Sequence, residues 1–296
     1  MLPPTMPCKQ AHPFDRSGLA ALSDIETREW RGLFSHLEKE QSEFLAKEGE
    51  FRSREYKWPP DPLHTWSRVW EYPYTYHHLQ QARNQGPANR LPRVVDLGSG
   101  VTFFPFTVAR LGYRVTCADI DPVCATDIPR AARALPHAPG AVDFRLIEGD
   151  TLPFKDNEIE AVYCISVLEH IPTFESTVAE IFRILKPAGL FVLTFDLDLR
   201  GDSQIGPVQY RKLKRVLAQH FDLLCPDAIV HPADLLTSTD GPCPVRGPSG
   251  LARAWFLAKQ EVKPLFGKPP ALAVPFHLCV EGLVLVRKQD GSSQQS

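Results

Sequence analysis

The chain reads as an α/β fold with a doubly wound, mostly parallel sheet. Two observations predict it. Residues 93–105, RVVDLGSGVTFFP, pass from a β-branched strand through a glycine-rich turn into a helix-like segment. Strand-like and helix-like runs then alternate to about residue 198, the order that builds parallel βαβ units.

Residues 1–92 read as an N-terminal helical extension with an aromatic lid. Ser23 and Glu26 have the spacing of a capping box. Trp30, Leu33, Phe34 and Leu37 fall at i, i+3, i+4 and i+7, one apolar helix face. The polar stretch from Glu38 to Arg54 continues that helix. Trp58, Trp66, Trp70, Tyr72, Tyr74 and Tyr76 follow within a short aromatic segment. It is either a strap that packs the added helices on the sheet or a lid over a ligand. As a lid it offers Tyr72, Tyr74, Tyr76 and His77 to an acceptor.

Residues 93–288 form the main domain. Gly98 permits a turn that a Cβ would obstruct, and Gly100 lets a ligand approach the backbone. The third glycine of a dinucleotide fingerprint would fall at Phe103. Asp96 would repel a pyrophosphate. A ligand without phosphate and with positive charge suits that acid better, and S-adenosylmethionine is one. The next apolar run ends in Asp119, placed to accept from both ribose hydroxyls, with Asp121 before Pro122 as a helix cap. A third strand from Asp143 leads to Asp150, an acceptor for an adenine amino group, and to Leu152, a cover for the ring. The fourth strand spans Ala161 to Val167. A helix from Phe174 to Lys186, stopped by Pro187 and Gly189, leads into the fifth.

Beyond Leu199 the pattern is less regular. Pro207 to Phe221 reads as a basic amphipathic helix bearing Arg211, Lys212, Lys214 and Arg215. A strand is expected over Asp222 to Val230, then an insert at about 231–275 with a helix from Gly250 to Leu265. A last strand begins at Leu278, and residues 289–296 read as a disordered tail.

The set DLGSG, Asp119, GDTLPF and EIFRILKPAGLFVLT, in this order, resembles a class I S-adenosylmethionine-dependent methyltransferase of the Rossmann-like type. The resemblance covers roughly residues 90–200. It implies a seven-stranded sheet in which a late hairpin places one antiparallel strand. It implies a cofactor site at Asp96, Gly98, Ser99, Gly100, Asp119, Ile120, Asp150, Thr151, Leu152 and Ser166. Thr102 departs from the family, where many members have a third glycine, and Glu160 stands where aspartate is commoner. Some quinone-pathway relatives share the Glu169–His170 pair and bind a metal with a further acid three residues earlier. That position is Ser166 here, so no metal is expected.

Methyl transfer is an in-line displacement at a sulfonium carbon, so aligning the acceptor supplies most of the catalysis. A base is needed only where the acceptor holds its proton tightly. Ligands of such sheets lie beyond the carboxyl ends of the strands. That places Glu169 and His170 as catalytic candidates, with His170 the leading base, and Asp196 as a substrate contact. His231 and Asp234 in the insert are weaker candidates.

The chain has 296 residues, 43% of them hydrophobic, enough for one α/β domain with additions. A net charge of -2 gives no bulk attraction to nucleic acid or anionic membrane. No apolar run reaches the ~20 residues of a spanning helix, and the N-terminus lacks an apolar signal core. The seven cysteines include no C-x-x-C pair, as expected for reduced cytoplasmic thiols. The 28 prolines and the excess of arginine over lysine hint at a bacterial, GC-rich genome. The expectation is an enzyme, a monomer or homodimer, that methylates O or N of a small-molecule acceptor such as a specialised metabolite or sugar-containing intermediate. The alternatives are a protein or RNA methyltransferase, a nicotinamide oxidoreductase, and a non-catalytic S-adenosylmethionine-binding protein.

Overall fold

A computed structural model describes residues 12–58, 62–87, 89–198, 204–246 and 277–289. The N-terminal part contains β1 (Ser17–Leu19), α1 (Leu22–Ile25), α2 (Arg28–Leu45), α3 (Glu48–Phe51) and α4 (Arg68–Gln85). The alternating part runs β2 (Arg93–Leu97), α5 (Phe104–Arg110), β3 (Arg114–Asp119), α6 (Pro122–Ala134), β4 (Ala141–Leu146), β5 (Ile159–Ile165), α7 (Phe174–Ile184) and β6 (Leu185–Asp198). Then come α8 (Pro207–His220), β7 (Phe221–Leu223), β8 (Asp227–Ala228) and β9 (Leu278–Arg287).

The sheet order is β4-β3-β2-β5-β6-β9-β1-β8, with β7 also paired to β9. The pairs from β4 to β6 are parallel, and β9 runs antiparallel to β6. From β2 the chain winds outward to β3 and β4, then restarts at β5 on the other side. The carboxyl ends of β2 and β5 therefore flank the crevice where such sheets take ligands. Val94, Val95, Val162, Tyr163 and Cys164 are fully buried, as strands covered on both faces require.

Among the described residues the sheet has nine strands rather than seven, because β1 and β8 extend it past β9. Residues 1–92 thus supply a strand and a core helix. In α4 every residue from Val69 to Leu79 is buried. Gly282 of β9 makes room for this helix: a Cβ there would lie 2.6 Å from the Trp70 ring and 2.7 Å from that of Tyr74.

Several boundaries differ from the sequence expectation. Ser23 and Glu26 form no capping box, because Asp24 takes the Ala21 N–H while Ser23 bonds Asp234. The following helix, α2, is capped by Thr27, which accepts from the Trp30 N–H at 3.1 Å. It stops at Leu45, and α3 is a separate turn. The fourth strand lies at Ile159–Ile165, slightly earlier than expected. The next helix, α7, ends at Ile184, since Pro187 pushes Lys186 away from helical geometry. The strand expected over 222–230 is broken into β7 and β8 at Pro226, which has no N–H for a ladder. Asp121 caps α6 as expected, accepting from the Val123 N–H at 2.9 Å. The expected helix from Gly250 to Leu265, most of the insert and nearly all of the tail lie outside the described residues.

Candidate active site

The turn after β2 is built for close approach. Gly98 and Gly100 have φ of 72° and 52°, the left-handed region that glycine enters freely. The Gly98 N–H donates to the Ala118 carbonyl at 2.8 Å, tying the turn to β3. A Cβ on Gly98 would stand 2.4 Å from a Val167 methyl, so the two sides of the crevice already touch there. Ser99 is buried, and its hydroxyl donates to the Gly100 carbonyl.

Asp119 ends β3 half-buried. Its two oxygens accept from the Gly100 N–H at 2.8 Å and the Asp121 N–H at 2.9 Å. Each carboxylate oxygen keeps a further lone pair for a ligand hydroxyl. Beside it Ile120 is 75% exposed, an apolar side chain left uncovered at the ligand end of the sheet. Past β4, Asp150 and Thr151 are exposed, whereas Leu152 is buried with its N–H bonded to Glu180 at 2.7 Å.

Asp96 is buried at the end of β2. Burial pushes its carboxyl up to about 8; the Tyr163 phenol opposes this and Asp119 adds to it. Near neutral pH the free site therefore holds this acid largely protonated, and a cationic ligand would draw the proton off. The glycine turn, the acceptor-rich Asp119 and Asp96, and the open Ile120 fit S-adenosylmethionine, which has two ribose hydroxyls, a planar base and two positive charges.

On the other side of the crevice, a 3-10 turn at Leu168–His170 follows β5. Ser166 has φ 46° and donates to Glu71 at 2.7 Å. Thr194, on β6, donates to the same Glu71 oxygen at 2.6 Å. The other Glu71 oxygen pairs with Arg68. Glu71 is fully buried, and so a residue of α4 clamps the ends of two strands. Glu169 accepts the Asp196 N–H at 3.1 Å. One oxygen each of Glu169 and Asp196 is buried without a hydrogen-bond partner. Burial, then the Asp196 charge, raises the Glu169 carboxyl far above the usual range. Burial, then Glu71, pushes Asp196 up to about 8 against the pull of Arg68. His170 is exposed; partial desolvation, then Arg68, lowers its pKa.

The aromatic candidates divide. Tyr72 stacks on Phe104 at 4.6 Å, and burial, with Asp96 nearby, raises its phenol well above the usual range against the pull of Arg68. Tyr74, Tyr76 and His77 are packing residues. The Tyr74 hydroxyl donates to the Arg16 carbonyl at 2.9 Å. His77 bonds Asp15 at 2.8 Å and stacks on His12 at 3.8 Å. Tyr76 is buried against His36. In the insert His231 caps a short turn, and Asp234 is held by Ser23. Sequence reasoning missed Tyr56, Arg68, Glu71 and Thr194. The only signal was the i, i+3 spacing of Arg68 and Glu71.

Among the described residues no three His, Cys, Asp or Glu side chains gather as a metal site. A cavity of about 400 Å³ opens at the opposite, amino-terminal end of the strands, near Tyr113, Ala161 and Leu190. It contains none of the residues assigned to the cofactor or to catalysis, and Glu160 on its rim is paired with Arg90 and Lys186.

Residues 95–193 match the family described as methyltransferase domain. An uncharacterized methyltransferase of Mycobacterium sp. (strain JLS) is 29% identical over 133 residues, 44% of this chain and 49% of the relative. A ubiquinone/menaquinone biosynthesis C-methyltransferase of Nitrobacter hamburgensis is 31% identical over 129 residues, 42% of this chain and 48% of the relative. The chain thus spans about half the length of the curated relatives it matches. The solved structure of the cyclase SpnF aligns with 93% of this chain and 100% of its own, at a TM-score of 0.48 and 18% identity.

Proposed function

We propose that this chain, whose residues 95–193 match the family described as methyltransferase domain, is a methyltransferase of the class I type that transfers a methyl group to oxygen or nitrogen of a small-molecule acceptor. The cofactor of this enzyme class is S-adenosylmethionine, which supplies an electrophilic methyl group. Asp96, Gly98, Ser99, Gly100, Asp119, Ile120, Asp150, Thr151, Leu152 and Ser166 are the residues we assign to holding it. The observation that carries the reading is the Gly98–Gly100 turn bonded to Asp119 at the crevice between β2 and β5.

The acceptor enters beyond β5 and β6, where Tyr72, Glu169, His170 and Asp196 offer polar and aromatic contacts. A specialised metabolite or a sugar-containing intermediate suits that wall. The net charge of -2 disfavours RNA as the acceptor. A cytoplasmic setting is proposed from the seven cysteines of the sequence, which include no C-x-x-C pair. No described helix is long and apolar enough to cross a membrane. We propose a monomer or homodimer.

The test is calorimetric titration with S-adenosylmethionine, its demethylated product and NADH, followed by a labelled-methyl assay over candidate metabolites. One-to-one binding of the first two, and turnover of at least one acceptor, are expected. Binding of NADH alone would overturn the reading.

A further inference from the structure

The polar cluster formed by α4 and the ends of β5 and β6 gathers three carboxyl groups, Glu71, Glu169 and Asp196, and one guanidinium, Arg68. Glu71 is satisfied by Ser166, Thr194 and Arg68. Glu169 and Asp196 each keep one buried, unpartnered oxygen. Leaving such atoms unpaired is costly, and in native proteins this points to a function rather than to packing. Asp196 is half-buried and lies near the carboxyl end of β6, on the side where an acceptor would enter.

We propose that Asp196 takes the acceptor's proton during methyl transfer, and that the Arg68–Glu71 pair is the positioning device that holds it ready. The inference rests on the methyl-transfer reading. The acceptor's lone pair forms the new bond to the methyl carbon as the carbon–sulfur bond breaks onto sulfur. The proton lost by the acceptor oxygen or nitrogen passes to the Asp196 carboxylate and leaves later to water. Asp196 is suited to this because burial and Glu71 push its carboxyl up to about 8, whereas burial and the Asp196 charge raise Glu169 beside it far above the usual range. The charged and titratable groups around it are Arg68 and Glu71 on α4, Glu169 and His170 on the 3-10 turn, Asp198 on β6 and Cys279 on β9. Glu71 raises the Asp196 carboxyl and Arg68 lowers it, so their mutual pairing sets the balance.

The first measurement needs no cofactor: ¹³C-carboxyl resonances of the free protein are followed through a pH titration. A resonance that titrates near pH 8 and is lost in Asp196→Asn is expected. Titration of Asp196 in the ordinary carboxylate range would overturn the proposal. With cofactor and acceptor, Asp196→Asn should lower kcat by ~10²–10⁴-fold with cofactor affinity unchanged. Glu71→Gln should shift the rising limb of the kcat–pH profile to lower pH, because a charge that favours protonated Asp196 is gone. A purely structural Glu71 would change stability and leave the limb in place, which would also overturn the positioning role. If Glu71→Gln does not fold, the isosteric Asp196→Asn still decides the proton-acceptor role. Absence of S-adenosylmethionine binding at every pH would instead count against the methyl-transfer reading, while the titration still reports on the carboxyl pair.

Discussion

The Tyr56 hydroxyl stands over Gly100, 2.9 Å from where a Cβ on that glycine would lie. It accepts the Val101 N–H at 3.0 Å, and Arg52 covers its ring at 4.7 Å. One side of the glycine turn is therefore closed by the N-terminal part of the chain. The other side is closed by Val167 over Gly98.

The Gly98 contact is the tighter one. Gly98→Ala should cost about 2–4 kcal/mol, combining a left-handed backbone penalty with overpacking against Val167. Adding Val167→Ala should recover part of the loss, because it removes the methyl groups nearest the new Cβ. Denaturant midpoints at constant m-value would measure both effects. Equal stability of Gly98→Ala and wild type would refute the turn geometry.

Asp119 has two jobs. In ligand-free protein it holds the Gly100 and Asp121 N–H groups. Asp119→Ala should therefore lower the thermal midpoint as well as cofactor affinity. Hydrogen bonds to a charged group contribute about 1.5–3 kcal/mol each, so an affinity loss of roughly 2–4 kcal/mol is expected if both ribose hydroxyls are lost. Calorimetry and thermal melts on one preparation separate the two roles. Normal affinity in the folded variant would remove Asp119 from the site.

The sequence made the local part of the site legible. Asp96, Gly98, Gly100 and Asp119 lie at strand ends that β-branched runs mark. Their roles follow from turn chemistry within a few residues. The rest depended on long-range contacts. Glu71 meets Ser166 and Thr194 across 95 and 123 residues, and nothing near Glu71 marks that destination. Helix α4 is buried on every face from Val69 to Leu79, so that stretch lacks the one-sided apolar period that reveals surface helices. The added strands β1 and β8 are three and two residues long, too short for an alternating pattern.

Asp96 makes the protein pH-sensitive in a defined direction. Its carboxyl is raised in the fold from 3.8 to about 8. Between those values the unfolded chain has lost the proton and the folded one keeps it. The stabilising contribution is present in full below pH 3.8, is lost as pH rises, and is gone above about 8. For one group the slope is about 1.4 kcal/mol per pH unit at most. Asp96→Asn should flatten stability against pH over this window. Cofactor binding should release a proton at neutral pH, because the cation favours ionised Asp96. Binding heats in buffers of different ionisation enthalpy would detect it; no proton release, with an unaltered pH–stability curve in the variant, would refute the assignment.

The aromatic segment should behave as core rather than as a moving lid. Amides from Tyr72 to Leu79 should exchange only on global unfolding, with and without cofactor. Trp70 and Tyr74 stack at 4.4 Å and rest on Gly282. Gly282→Ala should cost ~1–3 kcal/mol through overpacking against these two rings. Cofactor-dependent protection over Tyr72–Leu79 in hydrogen exchange would restore the lid.

His170 separates two accounts of proton removal. It ends the 3-10 turn after β5, so it lies at the correct end of the sheet. It is also exposed, and both desolvation and Arg68 disfavour its protonated form. An exposed imidazole beside a guanidinium is a weak place to store an acceptor's proton. The half-buried Asp196, with an unpaired oxygen against Glu169, is a better one. His170→Ala should therefore lower kcat by less than about 10-fold, below the usual general-base range. The pH limb of kcat should stay in place, and stability should hardly change. A fall of ~10²–10⁴-fold with loss of that limb in a stable His170→Ala protein would assign the base to His170. In that case Asp196 would be left to orient the acceptor, and Asp196→Asn should raise KM more than it lowers kcat.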